Sequence, residues 1–382
     1  MAAQATTTAA YSADRHTNKL SLLNMSGNLP PKVPHAFDAE YLAAVQTVLS
    51  RQSPNDLIGA HQFRGERRDR IAGARFVGRR LPVAPNPDQL IVTNGTQGAI
   101  TMLMAGLIGR GGTLAIEELS YPTMRQFAEM FGIGLCSIPM DKEGMLPDAY
   151  EAACRIKNPA AVYAMPTLQN PTTAIMSVDR RRNIADISRK YGVAIIEDDI
   201  YSLLPFDLPP PLSAFAPEIS WYILGTAKSM AAALKVAYLV APSAEAAQSR
   251  FWPGVRATYW MCAPINAATV TALIENDAAD RIIAAVRRET QARQALVTER
   301  LRHREFNSIA EGLHVWLKLP ASQPRAEFVA RVRSRGVEIS ASDTYFFGKD
   351  EPPNAIRFGT GTAPDREAFE RGLDAVIRAY DA

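Results

Sequence analysis

The residues that most often hold metals or form disulfides are scarce in this chain. Its 382 residues include only three Cys and five His. Cys136, Cys154 and Cys262 lie far apart in the sequence and form no CxxC pair. This spacing argues against a metal site and against a disulfide framework, so we expect a reducing, cytoplasmic environment.

Long apolar runs are also absent. The most apolar helix-like stretch, residues 99–107, is too short to span a bilayer. The first eleven residues are rich in Ala and Thr but lack the basic region and the apolar core of a signal peptide. We therefore expect a protein with no membrane partner.

Neither sign of charge dominates the chain, whose formal net charge is +3. Apolar residues make up 47% and charged residues 21%, which is ordinary for a soluble globular protein. The densest basic cluster lies at residues 64–80, but acidic residues interrupt it and no nucleic-acid-binding motif frames it. A solvated helix face or a subunit interface explains this cluster better, and we expect no nucleic-acid partner.

Short apolar runs alternate with amphipathic helical patterns over most of the chain. The strand candidates in the first 275 residues are 90–93, 114–116, 161–164, 193–197, 222–225 and 236–240. The helical patterns are 38–81, 97–109, 123–132 and 178–191. This alternation predicts an α/β fold with a doubly wound, mostly parallel sheet, in which sites lie at the carboxyl ends of strands.

The length of the chain allows two domains. We predict a flexible N-terminal arm (1–24), a large domain (25–275), a connecting helix (276–303) and a small C-terminal α+β domain (304–382) to which the N-terminal segment contributes. Within the small domain we expect strands at 314–317, 337–339 and 356–358 and helices at 325–335 and 364–380.

Lysine is scarce too, since only nine of the 42 Lys and Arg residues are Lys. One of them, Lys228, follows the apolar run 221–224 through a turn of small residues, 225–227. An amine on such a turn at the end of a strand can form a Schiff base with a carbonyl cofactor. Lys228 is therefore a candidate for covalent catalysis.

A carboxylate, Asp198, lies at the end of the strand-like run 193–197. Burying a carboxylate at a strand end is costly unless it has a partner, and the pyridinium N–H of pyridoxal phosphate (PLP) is an adequate partner. Tyr201 follows on the same loop and is near enough in sequence to reach an oxygen of the same ring. Together with Lys228, these residues predict a PLP site.

Three turns at other strand ends each have two interpretations. Gly95, Thr96 and Gln97 open a helix and form either a phosphate cup or a simple strand-to-helix turn. Tyr121 either stacks on a planar ring or packs in the core. Asn170, between two prolines, either donates to a phenolate oxygen or belongs to a rigid turn.

Two basic residues complete the set of candidates. Lys235, seven residues after Lys228, is placed to meet a phosphate. Arg357, on a late strand, either binds a substrate carboxylate through its two-pronged guanidinium group or is a surface strand residue. The order of all these residues along an α/β pattern is more specific than any one of them.

This order resembles the fold-type I PLP enzymes, the class I/II aminotransferases. Within them it is most similar to the aminotransferase-like domain of MocR/GntR-type regulators and its free-standing relatives. The phrases that carry the resemblance are TNGTQ (93–97), SYP (120–122), PTLQNPT (166–172), IEDDIY (196–201), TAKS (226–229), VRAT (255–258), GLHVWL (312–317) and IRF (356–358). They span about residues 20–380, which would leave no room for the DNA-binding module that precedes this domain in MocR regulators.

The resemblance implies a role for each candidate. The implied catalytic residues are Lys228, Asp198 and Tyr201; the implied cofactor-binding residues are Gly95, Thr96, Gln97, Tyr121, Asn170, Asp198, Tyr201, Thr226, Lys228 and Lys235; the implied substrate-binding residues are Arg357, Asn170 and Asn28. Lys228 would carry PLP and shuttle a proton, Asp198 would pair with the ring nitrogen, and Asn170 and Tyr201 would bond the ring oxygen.

Four positions depart from the family pattern. Lys235 replaces the usual phosphate-binding Arg, which keeps the charge but loses the two-pronged geometry. Ala227 removes one of two hydroxyls, and Ala237 stands where a Gly is usual. A Tyr that often reaches the partner subunit's phosphate is replaced near Ala60. These changes predict a remodelled phosphate cup.

The resemblance implies transamination between an α-amino acid and a 2-oxo acid by a ping-pong mechanism, in a homodimer. Other PLP chemistry (lyase, racemase, decarboxylase or oxidase) starts from the same site and stays open, as does a regulator that senses PLP or an amino acid. The segment 256–264 is a candidate for a piece lent to the partner subunit, or else packs in the core. No second Arg stands out for a dicarboxylate, which favours neutral or aromatic substrates.

Overall fold

The computed structural model describes residues 22–382, so the predicted flexible arm, 1–24, falls outside the described residues except at its last three positions. The helices are α1 (Pro34–Arg51), α2 (Pro54–Ile58), α3 (Arg67–Val77), α4 (Thr96–Leu103), α5 (Thr123–Phe131), α6 (Pro147–Lys157), α7 (Val178–Tyr191), α8 (Ala244–Ala246), α9 (Trp252–Thr258), α10 (Pro264–Glu275), α11 (Ala278–Leu301), α12 (Arg325–Ser334) and α13 (Arg366–Tyr380). None of these helices is both long and apolar enough to cross a membrane.

The strands are β1 (Leu23–Asn24), β2 (Leu90–Thr93), β3 (Thr113–Glu117), β4 (Gly134–Ile138), β5 (Met140–Asp141), β6 (Gly144–Met145), β7 (Ala161–Ala164), β8 (Ala194–Asp198), β9 (Ser220–Gly225), β10 (Ala237–Val240), β11 (Phe306–Asn307), β12 (His314–Lys318), β13 (Val337–Glu338), β14 (Ser340–Ala341) and β15 (Ala355–Gly359). Every strand candidate from the sequence coincides with one of these strands to within two residues. The α/β prediction is confirmed.

Seven strands form the central sheet, in the order β2-β10-β9-β8-β7-β3-β4. The pairs from β9 to β4 are parallel, whereas β10 is antiparallel to both β9 and β2. Only β10 therefore runs against the others. As a result, the carboxyl ends of β2, β3, β7, β8 and β9 share one edge with the amino end of β10, and the loops that follow them converge there.

A four-stranded antiparallel sheet, in the order β11-β12-β15-β14, forms a second layer near the C-terminus. Its apolar cluster includes Val315, Phe358 and Phe369, and Met25 from the N-terminal segment packs into the same cluster. Strand β1 pairs in parallel with β13, and the Gly359 N–H of β15 donates to the Met25 carbonyl, which fixes this segment against the second sheet. The next residues, 26–31, are thereby led towards the edge where the central strands end.

The helical prediction for residues 38–81 is wrong in its continuity. Three helices occupy this stretch, and Pro54 and Gly65 lie between them and at their ends. Ser53 caps α2 by accepting a hydrogen bond from the Asp56 backbone N–H. Gly65 has a φ of +75°, and Glu66 and Asp69 form a reciprocal capping box that starts α3. These capping signals outweigh the apolar periodicity.

Most arginines of the basic cluster 64–80 pair with carboxylates of this chain. Arg68 contacts Glu275, Arg75 contacts Asp277 and Arg79 contacts Asp280, which ties α3 to the ends of α10 and α11. Arg80 is buried against Asp199 at 3.1 Å. These pairs account for the cluster as a set of contacts between helices.

Candidate active site

A cavity of about 440 Å³ lies where the strand ends converge. Eleven of the twelve residues singled out from the sequence line it, namely Asn28, Gly95, Thr96, Gln97, Tyr121, Asn170, Asp198, Tyr201, Lys228, Lys235 and Arg357. Thr226 is the exception, because its buried hydroxyl donates to the Val236 carbonyl at 3.0 Å. The second sheet contributes Arg357, so the cavity lies between the two sheets.

Lys228 is placed by the short turn that follows β9. Lys228 is partly buried, and its ammonium group donates to the backbone carbonyl of Asn28. Burial and the nearby positive charge of Arg357 together lower the pKa of Lys228 to about 8, against the opposing effect of Asp198. A lysine with such a pKa presents a substantial fraction of neutral amine near neutral pH.

The lowered pKa of Lys228 predicts how fast the protein captures an aldehyde. Only the neutral amine attacks a carbonyl, so the second-order rate of PLP capture by the cofactor-free protein should rise about tenfold per pH unit below pH 8 and level off above it. Stopped-flow absorbance at a series of pH values measures this profile. A midpoint near 10.5, the ordinary value for lysine, would contradict the proposed environment of Lys228.

Asp198 ends β8, and its carboxylate is only half satisfied. The hydroxyl of Tyr163, on the neighbouring strand β7, donates to Oδ2 at 2.9 Å. Oδ1 is buried and has no hydrogen-bond partner. Burial raises the pKa of Asp198 to about 6, while the Tyr163 hydrogen bond acts in the opposite direction. A free carboxylate oxygen facing a cavity suits a cationic N–H donor such as a protonated pyridine nitrogen.

Tyr201 and Asn28, which line the same cavity, form a hydrogen-bonded pair. Asn28 Nδ2 donates to the Tyr201 hydroxyl oxygen at 2.8 Å, which leaves the proton of Tyr201 available to another acceptor. Burial holds the pKa of Tyr201 well above its usual range, so the side chain stays a neutral donor at physiological pH. Its position suits an acceptor such as the phenolic oxygen of a bound ring.

Arg357 reaches the cavity from β15 and has spare donors. Its Nη1 donates to Asn170 Oδ1 at 3.1 Å, and its Nη2 donates to the Ser26 carbonyl. The Nε–H is buried without a partner, and the guanidinium lies 5.2 Å from the centre of the Tyr345 ring. Because Asn170 Oδ1 faces Arg357, the amide nitrogen of Asn170 faces the other way and can donate to a ligand. The remaining N–H groups of Arg357 can hold a carboxylate.

The start of α4 forms an anion-binding corner. Gly95 precedes this helix with a φ of +89°, which exposes backbone N–H groups at the helix start. Lys235 lies against Gly95, and a Cβ added to that glycine would be 3.5 Å from Lys235 Cδ. Gln97 Nε2 donates to the Tyr121 hydroxyl at 2.8 Å, which orients Tyr121 beside the same corner. The arrangement fits a phosphate group.

Three cavity-related side chains were missed in the sequence. Tyr163 supports Asp198, Tyr345 lies under Arg357, and buried His314 contacts Asn28. A histidine inside the apolar strand β12 was the available signal for His314, whereas Tyr163 and Tyr345 look like core aromatics in sequence. Among residues 22–382, no group of three or more His, Cys, Asp or Glu side chains could hold a metal ion.

The surface near Ala60 carries an aromatic cluster. The ring of His61 stacks on Phe63 at 5.3 Å and meets Tyr259 edge-on at 4.9 Å. Tyr259 and Trp260, at the end of α9, are 59% and 44% exposed. The segment 256–264 therefore presents large aromatic side chains at the surface rather than burying all of them in the core.

Comparisons with known proteins identify a family model that matches the chain and several relatives that are similar to it. The family described as aminotransferase class I and II matches residues 24–376. The uncharacterized HTH-type transcriptional regulator YdeF of Bacillus subtilis is 29% identical over 297 residues, which cover 77% of this chain and 63% of that regulator. The 2-aminoadipate transaminase of Thermus thermophilus is 24% identical over 373 residues, which cover 95% of this chain and 91% of that protein.

A solved structure shows the same fold. The structure of LysN, an α-aminoadipate aminotransferase from Thermus thermophilus complexed with N-(5'-phosphopyridoxyl)-L-leucine, matches with a TM-score of 0.83 and 22% identity. The match covers 94% of this chain and 92% of LysN. The chain thus has the length of these transaminases but spans less than two thirds of the regulator YdeF.

Proposed function

The chain belongs to the aminotransferase class I and II family, and on that premise we propose that it is a PLP-dependent aminotransferase that moves an amino group between an α-amino acid and a 2-oxo acid. The observation that carries the proposal is the pairing, in one cavity, of a partly buried lysine of lowered pKa with a carboxylate oxygen that lacks a partner. A carbonyl-bearing pyridine cofactor uses both groups at once.

The residues of the cavity fit PLP. When bound, PLP supplies an aldehyde that accepts amines and a ring that withdraws electrons from the Cα of the amino acid. Lys228 would hold the aldehyde, Asp198 the ring nitrogen, and Tyr201 and Asn170 the phenolic oxygen. Gly95, Thr96, Gln97 and Lys235 would hold the phosphate, and Tyr121 would lie against the ring.

The chain's own groups would then handle the proton and the substrate. Lys228, whose lowered pKa favours the neutral amine, would be the base that takes the proton from the substrate Cα and returns it elsewhere. Arg357 would orient the α-carboxylate, with Asn170 and Asn28 beside it. Two half-reactions on one site imply ping-pong kinetics.

Isotope transfer tests the proposed reaction directly. The purified protein with PLP is incubated with one of a panel of ¹⁵N-labelled amino acids and an unlabelled 2-oxo acid, and the products are identified by mass spectrometry. We expect label in the amino acid that corresponds to the added oxo acid. Loss of carbon dioxide, elimination or racemisation without label transfer would instead favour other PLP chemistry at the same site.

Arg357 should affect substrate binding more than the chemical step. Arg357→Gln removes the charged donors, and we expect KM for the amino acid to rise about 100-fold with a smaller change in kcat. Arg357→Lys keeps the charge but not the two-pronged geometry, so its KM should lie between those of the wild type and of Arg357→Gln. Steady-state kinetics of both variants check this, and an unchanged KM would remove Arg357 from the substrate site.

A sensor of PLP or of an amino acid is the second candidate. The similarity to the regulator YdeF favours it, as do the departures at Ala227 and Lys235 on the phosphate side of the cavity. A sensor would bind the same ligands but would not convert the amino acid into a product. Binding of cofactor and amino acid without label transfer in the isotope experiment would therefore support the sensor.

We also propose a homodimer in which the exposed aromatic segment 256–264 contacts the second copy. Exposed Tyr259 and Trp260 beside His61 form the kind of aromatic surface that interfaces use. Light scattering after size exclusion should give about twice the chain mass of 41.7 kDa. The double variant Tyr259→Ser, Trp260→Ser should shift the protein towards monomer. A fully active, stable wild-type monomer would contradict the dimer.

A reducing compartment remains our proposal for the location. Cys136, Cys154 and Cys262 are all free thiols in the structure, and two of them are buried. Burial holds the pKa of Cys154 at about 11 and that of Cys262 at about 12, so both stay protonated and unreactive. This arrangement suits the cytoplasm.

A further inference from the structure

His314 occupies a central position that the proposed reaction does not explain. It is the first residue of β12, it is completely buried, and it faces the cavity-lining segments from the second sheet. Nδ1 lies 3.0 Å from Asn28 Nδ2, and Nε2 lies 3.2 Å from the Gln169 carbonyl oxygen. Its ring centre is 5.7 Å from that of Tyr201. His314 thus joins the N-terminal loop to the loop that carries Asn170.

The partners of His314 determine its tautomer. A backbone carbonyl only accepts hydrogen bonds, so Nε2 must carry a proton to bond Gln169. A second proton on Nδ1 would make the ring cationic, and burial together with the charges of Arg357 and Lys228 opposes that, with the pKa of His314 lowered to about 3. The ring is therefore neutral, and Nδ1 is an acceptor.

A neutral Nδ1 acceptor fixes the orientation of the Asn28 amide. Only the Nδ2 side of the amide can donate to Nδ1, and the second hydrogen of Nδ2 goes to the Tyr201 oxygen. Asn28 Oδ1 is consequently turned away from both groups and has no partner. If the amide were reversed, Oδ1 would face Tyr201 and accept its proton. The orientation of one amide therefore decides whether Tyr201 donates to Asn28 or into the cavity.

We propose that His314 is a positioning residue that acts through Asn28 to keep the hydroxyl of Tyr201 free to donate into the cavity. The relay runs from Nδ1 of His314 through Nδ2 of Asn28 to the oxygen of Tyr201. The assignment of the cofactor's phenolic oxygen as the acceptor of the Tyr201 hydrogen bond rests on the proposed function.

Bound PLP reports on the relay through the pH dependence of its visible spectrum. A donor to the phenolic oxygen stabilises the deprotonated form of the bound cofactor. It therefore lowers the midpoint, that is, the pH at which half of the change in the visible spectrum has occurred. His314→Phe preserves the ring but removes the acceptor, and we expect the midpoint to rise by about 1 pH unit. His314→Asn retains an acceptor near the position of Nδ1 and should recover part of this shift. Circular dichroism checks that both variants are folded.

A double-mutant cycle separates this relay from a purely structural role. Tyr201→Phe should raise the midpoint by itself, and adding His314→Phe to it should cause no further shift. Equal and additive shifts in the two backgrounds would overturn the relay, as would a His314→Phe midpoint that equals the wild-type one.

The cofactor-free protein offers an independent test. Nitrogen-15 chemical shifts should show one of the five histidines as a neutral Nε2–H tautomer that does not titrate between about pH 5 and 9, and this signal should be missing in His314→Asn. A cationic or Nδ1–H ring at His314 would overturn the relay. A wild-type protein that shows this tautomer but gives no visible band with PLP would contradict the proposed function and support the His314–Asn28 part of the relay.

Discussion

Lys228→Ala is expected to abolish amino transfer, with kcat at least about 10³-fold below that of the wild type. Two functions would be lost together, since in the proposed mechanism the amine that holds the aldehyde is also the base for the substrate Cα. Alanine leaves a small gap beside Ala227 and removes a partly buried amine, so we expect the fold to persist. Label transfer from a ¹⁵N amino acid, measured on the folded variant, gives the residual rate.

Lys190→Ala is the matched control for this variant. Lys190 is exposed on α7 and pairs with Glu151 at 2.6 Å, far from the cavity. Its loss should leave kcat within about twofold, because exposed ion pairs contribute little. Appreciable turnover by Lys228→Ala would show that another group carries the chemistry. External methylamine should restore part of the rate if the missing function is the base.

Asp198→Asn is the second variant from which we expect a large effect, a loss in kcat of about 10²–10³-fold. The amide is nearly isosteric but neutral, so in the proposed mechanism it would no longer stabilise a protonated ring nitrogen, and the electron-withdrawing power of the cofactor would fall. The dissociation constant of PLP should increase as well. Steady-state kinetics at saturating PLP separate the loss in kcat from weaker cofactor binding.

Tyr163→Phe provides a graded comparison on the same carboxylate. It removes the hydrogen bond to Asp198 Oδ2 but leaves the charge, so we expect a loss of no more than about tenfold. Asp186→Asn, on the exposed face of α7, should have no effect on catalysis. If Asp198→Asn turned over as fast as Tyr163→Phe, the ring nitrogen would not depend on a charged partner.

The strand ends were predictable because they combine two local signals. Buried parallel strands such as β8 are short apolar runs in the sequence. A charged or small residue at the end of such a run indicates the sheet edge where the loops converge. Asp198 and Lys228 both follow such runs, which is why their meeting in one cavity could be expected. The family match over residues 24–376 confirms the resemblance that these motifs carried.

Other features depend on contacts that no local pattern encodes. The sequence did not predict strand β4, because β4 lies at the sheet edge and has a half-buried pattern. Thr226 was expected beside the phosphate, but its hydroxyl is used by the Val236 carbonyl. The roles of Tyr163 and His314 arise from neighbours 35 and 286 residues away in the sequence. Such pairings are visible only in three dimensions.

The central claim is that one cavity holds PLP and passes an amino group through it. The most direct test is the absorbance spectrum of the purified protein with PLP, recorded before and after a panel of amino acids and then after a 2-oxo acid. We predict a visible band that decays with some amino donors and returns with the oxo acid. A wild-type protein that forms no band even with excess PLP, while Lys228→Ala gives the same spectrum, would contradict the claim.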